Sequence, residues 1–520
     1  MAGRGFGTWL REGVWEIPLR RYVAIVLGMA LVAGLVLAVR TLAHDDRSCA
    51  AGVVRPEGSD ECVGVSATAY DWGRAPLRPV VRAIDRENKS IKGPYVTVAL
   101  LEPFTATDAD NLGDVLHELQ GAYLAQYQAN HQSNGTVPAI RLVLANPGAT
   151  GAHWEHTVEQ LEGMTGGKDR LRAVAGVGLS TANNKRAVTG LTARGIAVIG
   201  TSITADNLAN GQNGKDPFPG LARVAPTNTD EARALTSFAQ VAADKAVLVY
   251  DDKADDPDDG DPYSLTLQRS FEKLLKGSPY APWSFNPPDD RAQDGSTAND
   301  FEQITHLVCD TDAGTDTILF AGRHTQLRQF INALGERGCQ KRRFTLLTGD
   351  EASYLTGDKD LDRDALDRNL TVRYTALAHP DAWLKSPPAT GGSTADAQVL
   401  RELVSAGQGD KVGPIGTVDL EDGQLIIAYD ALRLAYQGIR FAKGDKDIPT
   451  LEEVRNEWRL IKGTQQRVNG ASGWICLDNH GNPYDKAVPI VELTPQGTAR
   501  FVRIAWPEGK PPSKECLPPS

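Results

Sequence analysis

The sequence predicts an α/β protein of two parallel-sheet lobes preceded by one transmembrane helix. Three observations carry that prediction. An uncharged apolar run covers 22–39, near the N-terminus. Two series of short, near-continuous apolar strands alternate with helical segments, at roughly 95–222 and 227–375; strands of that kind belong to parallel sheets buried on both faces. A helical block and an alternating, strand-like segment then close the chain, which implies that it crosses back between the lobes.

The eighteen-residue apolar run is about long enough for a helix to cross a hydrocarbon core of ~30 Å at ~1.5 Å per residue. Arg4, Arg11, Arg20 and Arg21 precede it, whereas His44, Asp45 and Asp46 follow. The positive-inside rule therefore places 1–21 in the cytoplasm and everything after about 43 outside. Secretory signals share this charge order, but their apolar region is usually ~7–15 residues, and "TLA" before His44 is a weak cleavage site. The length favours an uncleaved, single-pass anchor over 22–43. Cys49, in "DDRSC", follows charged residues where a lipidated N-terminus has small and aliphatic ones.

Residues 44–93 are polar, mixed in charge and dotted with Gly and Pro, and read as an extracytoplasmic stalk. From Tyr95 the alternation begins. "YVTVALL" is a β-branched run, and "NLGDVLHELQGAYLAQYQAN" places Leu112, Val115, Leu116, Leu119 and Leu124 at helical spacing. "AIRLVLAN" is the next strand and "HWEHTVEQLEGM" the next helix. "LRAVAGVG" and "GIAVIGT" are further apolar strands, separated by a helix around 185–193. The second series runs "AVLVYDD", "LTLQRSFEKLLKG", "TDTILFAG", "TQLRQFINALGERG" and "FTLLTGD". Three helical segments follow, "DAQVLRELVSAG", "QLIIAYDALRLAYQGIRFAKG" and "TLEEVRNEWRLI". The closing stretch from "SGWICLDNHGNPYD" alternates about an Asn-His-Gly-Asn turn and reads as an antiparallel hairpin.

A net charge of −11 argues against a nucleic-acid partner, which needs a basic face. Six cysteines fit an oxidising compartment outside the membrane; they allow fifteen pairings, which sequence alone does not fix, and nearest-neighbour pairing would give Cys49–Cys62, Cys309–Cys339 and Cys476–Cys516. Their spacing does not suit a zinc site. Catalytic and cofactor motifs fail in turn. Gly176 and Gly178 are followed by Thr181 where a dinucleotide fingerprint has its third glycine. "GMTGGKDR" and "NGQNGKDP" lack the Ser/Thr of a phosphate loop, and "GTSIT" is no nucleophile elbow. "HELQG" lacks the second His of a zinc protease, and "HWEH" has no apparent third ligand. "DDKADDPDDGD" breaks the calcium-loop formula at Pro257 and Thr266, so it reads as a solvated insertion. No enzyme, cofactor or metal site is expected.

Two loops remain, "GVGLSTANN" and "GTSITADNL", each at the C-terminal end of a predicted parallel strand. Open α/β sheets bind ligands there, and backbone N–H groups with Ser/Thr hydroxyls favour an anionic group such as a carboxylate. The same hydroxyls can instead cap their own helices.

In order and spacing, "AVAGVGLSTANNKRAVTGLTARGIAVIGTSITADNL", "YDALRLAYQGI" and "NGASGWICLDNHGNPYD" resemble the type I periplasmic-binding-protein family, in particular its branched-chain amino-acid-binding members, over about 94–508. The last piece is similar to a family hairpin motif, with Leu477 where Phe is usual. The resemblance implies two Rossmann-like lobes joined by three crossovers, near 222–227, 374–379 and 468–472. Lobe 1 would hold 94–226 and 376–470, lobe 2 would hold 227–375 and 471–508, and 509–520 would be a C-terminal tail. It also implies a site between the lobes. Ser180 and Thr204, with Ser202 beside it, would take a carboxylate; Tyr263 would face the cleft; Asp350, or Glu351 in its place, would take an ammonium group. The chain departs from the pattern at Arg323 and His324, where aromatics are common, and at "EPFTATDADN", which lacks a Gly-rich loop. Arg323 is either a bidentate reader of a second anion or an ordinary surface arginine. The expected function is a membrane-anchored extracytoplasmic protein that captures a small amino-acid-like ligand for an ABC permease, or, alternatively, a sensor using the same cleft.

Overall fold

Aliphatic and β-branched runs become the central strands of two sheets. The computed structural model describes residues 47–132, 137–257, 260–289, 297–384, 394–409 and 411–518, with scattered positions between 18 and 32. The first sheet holds β1 (Ser48–Ala50), β2 (Val53–Val54), β3 (Val63–Ser66), β4 (Tyr95–Leu101), β5 (Ala139–Asn146), β6 (Leu171–Gly176), β7 (Ala197–Gly200) and β8 (Leu221–Arg223). Their order is β1-β2-β3-β5-β4-β6-β7-β8; β5 to β8 are parallel, and β1 to β3 join antiparallel.

The second sheet takes β9 (Ala246–Asp251), β10 (Trp283–Phe285), β11 (Thr317–Ala321), β12 (Phe344–Thr348) and β13 (Leu370–Thr375), all parallel. A short hairpin, β14 (Val468–Gly470) with β15 (Gly473–Ile475), stands apart. Antiparallel β16 (Val488–Leu493) and β17 (Ala499–Ala505) then complete the second sheet in the order β10-β9-β11-β12-β13-β16-β17.

Alternate residues of β4 serve opposite faces, as a pleated strand requires. Val96, Val98 and Leu100 pack with helices Arg78–Ser90, Ala109–Gln132 and Gln424–Lys443, whereas Ala99 and Leu101 pack with Trp154–Gly163 and Ala182–Ala193. Fourteen of the twenty residues in Gln424–Lys443 are buried, so this helix is internal rather than amphipathic. It approaches Ala109–Gln132 so closely that a Cβ on Gly121 would overlap the Leu425 carbonyl. In lobe 2, Phe285, Phe301, Phe320 and Phe330 form one aromatic cluster between the sheet and helices Thr297–Asp310 and His324–Gly335.

All three nearest-neighbour disulfides are present. The chain leaves the first sheet after β8 and returns after β13, close to the expected crossovers. Two expectations are corrected. Of the stalk expected over 44–93, the described residues from 47 on belong to the first lobe: β1, β2 and β3 extend the first sheet, and Val80, Val81 and Ile84 of the following helix enter its core. These apolar residues were masked, at sequence level, by the polar composition around them. The third crossover lies between β15 and β16, not at 468–472, and 471–482 belongs with lobe 1. There Val468, Ala471, Ile475 and Leu477 join the first core. The Asn-His-Gly-Asn turn likewise sits on lobe 1, where Asn482 Nδ2 donates to the Asn210 carbonyl at 3.0 Å. Among the described residues no helix is long and apolar enough to cross a membrane, and the expected anchor over 22–43 falls mostly outside them.

Candidate ligand-binding cleft

A cleft of about 540 Å³ lies between the lobes, at the C-terminal ends of β4 and β6. The backbone that shapes it is unusual. Gly176, Val177 and Gly178 all have positive φ, and at Val177 (φ 78°) a β-branched residue occupies the left-handed region. The turn carries Val177 and Leu179 into the cleft wall, and Thr181 caps the helix that follows by accepting from Asn184 N at 3.2 Å.

Ser180 neither lines the cleft nor caps that helix. Its Oγ accepts the N–H groups of Thr204 (3.0 Å) and Ala205 (3.1 Å), tying the two expected ligand loops to each other. Ser202 Oγ is 2.8 Å from Glu118 Oε1 and 3.0 Å from Gln424 Oε1. Thr204 is fully buried, and its hydroxyl has no hydrogen-bond partner. The expected carboxylate receptor is thus occupied by the protein itself.

Arg323 is neither a surface residue nor free to read an anion. Its fork grips Asp261 bidentately, Nε to Oδ2 at 2.9 Å and Nη2 to Oδ1 at 2.6 Å, while Nη1 donates to Glu351 Oε1 at 2.5 Å. Nη2 also donates across the cleft to the Ser180 carbonyl at 2.8 Å, joining the lobes. Tyr263 is buried beneath it, with the guanidinium 4.8 Å from the ring centroid. Asp261, which reads as part of a solvated run, is therefore buried as the N-cap of Pro262–Leu274 and as the main counter-ion of Arg323. Burial alone would raise the Glu351 carboxyl, but Arg323 and the hydrogen bond from His324 outweigh it and hold it down at about 2.

Asp350 lies behind this clasp rather than in the cleft. Its Oδ1 has no partner, and burial followed by repulsion from Glu351 pushes its carboxyl up to about 7. Between its ordinary value of 3.8 and about 7, the folded chain holds a proton that the unfolded chain has lost. Stability therefore falls as pH rises through that window and levels off above it. Asp350→Asn is expected to leave stability unchanged near pH 4 and raise it at pH 8 by roughly 4 kcal/mol, read from thermal melts across that range.

Of the six expected contacts, the structure brings Arg323 alone to the cleft wall. The residues that do line the cleft include Glu102, Asp114 and Glu118 from lobe 1, facing His324 and Tyr354 from lobe 2. Glu102 is 3% exposed; burial, then the adjacent Glu118, pushes it well above the usual carboxylate range. Asp114 is raised by burial and Asp422, and Glu118 by burial. Tyr354 reaches across to Asp114, and its ring stacks on His324 at 4.4 Å. A signal for Glu102 was present, since it opens the "EPFTATDADN" stretch that departs from the family pattern. Glu118 sits in a helix whose apolar spacing hides it.

Two sheets with parallel cores, crossed three times by the chain, with a ligand-sized cleft at their strand ends, constitute the type I periplasmic-binding-protein fold. Solved structures similar to this chain share it. They include the branched-chain amino acid transporter substrate-binding protein LivJ of Streptococcus pneumoniae in complex with isoleucine, 15% identical with a TM-score of 0.55, over 79% of this chain and 99% of that one. An ABC transporter substrate-binding protein of Desulfitobacterium hafniense in complex with leucine is 16% identical, TM-score 0.55, over 78% and 100%. A solute-binding protein of an ABC transporter from R. palustris, in complex with 4-hydroxybenzoate, is 15% identical, TM-score 0.53, over 79% and 96%. At such identities the likeness is one of fold. No protein-family model matches the chain, and no curated protein matches it in sequence.

Proposed function

We propose that the chain is an extracytoplasmic solute-binding protein, tethered by 22–43, that closes its lobes on a small, ammonium-bearing solute and presents it to an ABC permease. The observation that carries this reading is the cleft itself: about 540 Å³, walled by both lobes and bridged by Arg323 to Ser180. That volume suits a small organic guest. A bridge made of a few polar contacts can open and re-form, so a guest touching both walls shifts the lobe equilibrium toward closure. The protein then binds its guest and releases it unchanged. The neighbours' isoleucine, leucine and hydroxybenzoate complexes support a small-solute cleft on this scaffold.

The test is a thermal-shift and calorimetric screen of the full chain in detergent, against amino acids, aromatic acids and amines. Saturable 1:1 binding of one class, with a raised Tm, is the expected result. A folded protein that binds no member of the panel, or that turns one over, overturns the reading.

A further inference from the structure

We propose that the cleft selects a small organic polycation, a di- or polyamine or a guanidinium-bearing amine, and holds no ligand carboxylate. This rests on the solute-binding reading and narrows it. Two independent sets of contacts lead to it.

The first set removes the anion receptor. The backbone donors of Thr204 and Ala205 are taken by Ser180 Oγ. The Arg323 fork is taken by Asp261, Glu351 and the Ser180 carbonyl. An amino-acid ammonium seeking the acid at 350–351 meets the Arg323 guanidinium already seated on Glu351. A zwitterion therefore finds both of its expected partners engaged.

The second set concerns what faces the cavity instead. Glu102 and Glu118 are each 3% exposed yet form part of its wall. Glu102 accepts one backbone N–H, from Gly178 at 3.2 Å, and its other hydrogen-bonding neighbour is Glu118, itself an acid. Glu118 accepts hydroxyl hydrogens from Thr201 and Ser202, and Asp114 an amide from Gln424 at 3.1 Å. Among the described residues no lysine lines the cleft, and the arginine that does is engaged with Asp261 and Glu351. At rest burial favours the protonated form of these acids, with Glu118 and Glu102 sharing a hydrogen bond; a cationic guest would displace those protons and pair with the resulting carboxylates, a pairing that gains from the low local dielectric. Among the described residues no group of three or more His, Cys, Asp or Glu is arranged to hold a metal ion. Tyr354 and His324 supply a flat wall for the guest's methylene chain.

The test is isothermal titration of the full chain in detergent at 150 mM salt with spermidine, putrescine, agmatine, leucine and magnesium chloride. The expected result is saturable 1:1 binding of an amine, with leucine and magnesium silent. Glu118→Gln should weaken amine binding roughly tenfold or more, as loss of a charged hydrogen bond does. Asp114→Asn, at a less buried position, serves if that variant fails to fold, and Leu179→Trp should block the cavity. Leucine binding without amine binding overturns the inference while leaving the solute-binding reading intact. Magnesium binding at the same acids overturns it too, as does amine binding unmoved by Asp114→Asn and Leu179→Trp, which marks a general attraction to an acidic protein. Silence toward every compound here and in the wider screen removes the underlying reading as well.

Discussion

Arg323→Met is expected to destabilise the folded chain by about 3–5 kcal/mol, the usual cost of removing one partner from a buried ionic cluster. The magnitude follows from what is left behind. Asp261 and Glu351 are 5% and 1% exposed and lose the guanidinium that compensates both. Asp261 keeps its hydrogen bonds to Ser264, and Glu351 keeps His324, but neither replaces a bidentate charge. Lysine cannot substitute, since one ammonium lacks the planar fork that reaches Asp261, Glu351 and Ser180 together. Denaturation of Arg323→Met, and of the same variant with Asp261→Asn and Glu351→Gln, measures the effect, and the triple variant should recover most of the loss. The same substitution removes the bond to the Ser180 carbonyl, so small-angle scattering should report a larger radius of gyration as the lobes part. A loss under about 1 kcal/mol would mean that the cluster is solvated in solution.

The second large effect is at the base of lobe 1. Asp430 is fully buried and accepts three hydrogen bonds from the β14–β15 turn: Ala471 N at 2.7 Å, Ser472 N at 2.8 Å and Ser472 Oγ at 2.5 Å. Lys486, also buried, donates to the Ser472 carbonyl and hydroxyl at 2.9 and 2.8 Å. Gly470 is required here, because a Cβ would overlap the Asp430 carboxylate. Asp430→Ala leaves Lys486 without its counter-charge and the turn without its acceptor, and is expected to cost about 3–5 kcal/mol in chemical denaturation. Lys486 supplies a signature in pH. Burial lowers its ammonium from 10.5 to about 8, with Asp430 opposing. Between those values the unfolded chain holds the extra proton, so stability rises with pH from about 8 to 10. Lys486→Met should flatten that rise, and an unchanged slope would remove Lys486 as its source.

The two α/β series were legible because parallel strands are apolar on both faces, so "LRAVAG" and "TILFA" identify themselves without their neighbours. The disulfides join nearest neighbours along the chain, one of fifteen arrangements that the sequence left open. Residues 48–66 were not legible as strands, since two- to four-residue edge segments carry too short a pattern. The site was half legible. The loops at Ser180 and Thr204 were found, but which way their hydroxyls point depends on the partner loop, which local sequence does not encode. Asp261 illustrates the same limit, because six neighbouring aspartates made a solvated run the natural reading. Its burial depends on an arginine 62 residues away.

The amino-acid sequence by itself determined the two-lobe plan and the place of the cleft at the strand ends, because these depend on periodicity and spacing within short windows. Tertiary structure alone decided what the cleft presents. Packing brought Arg323 onto Asp261 and Glu351, turned Ser180 toward Thr204, and left Glu102, Asp114 and Glu118 facing the cavity. Charge is a local property of a residue, whereas its compensation is set by whatever the fold places within a few ångströms of it.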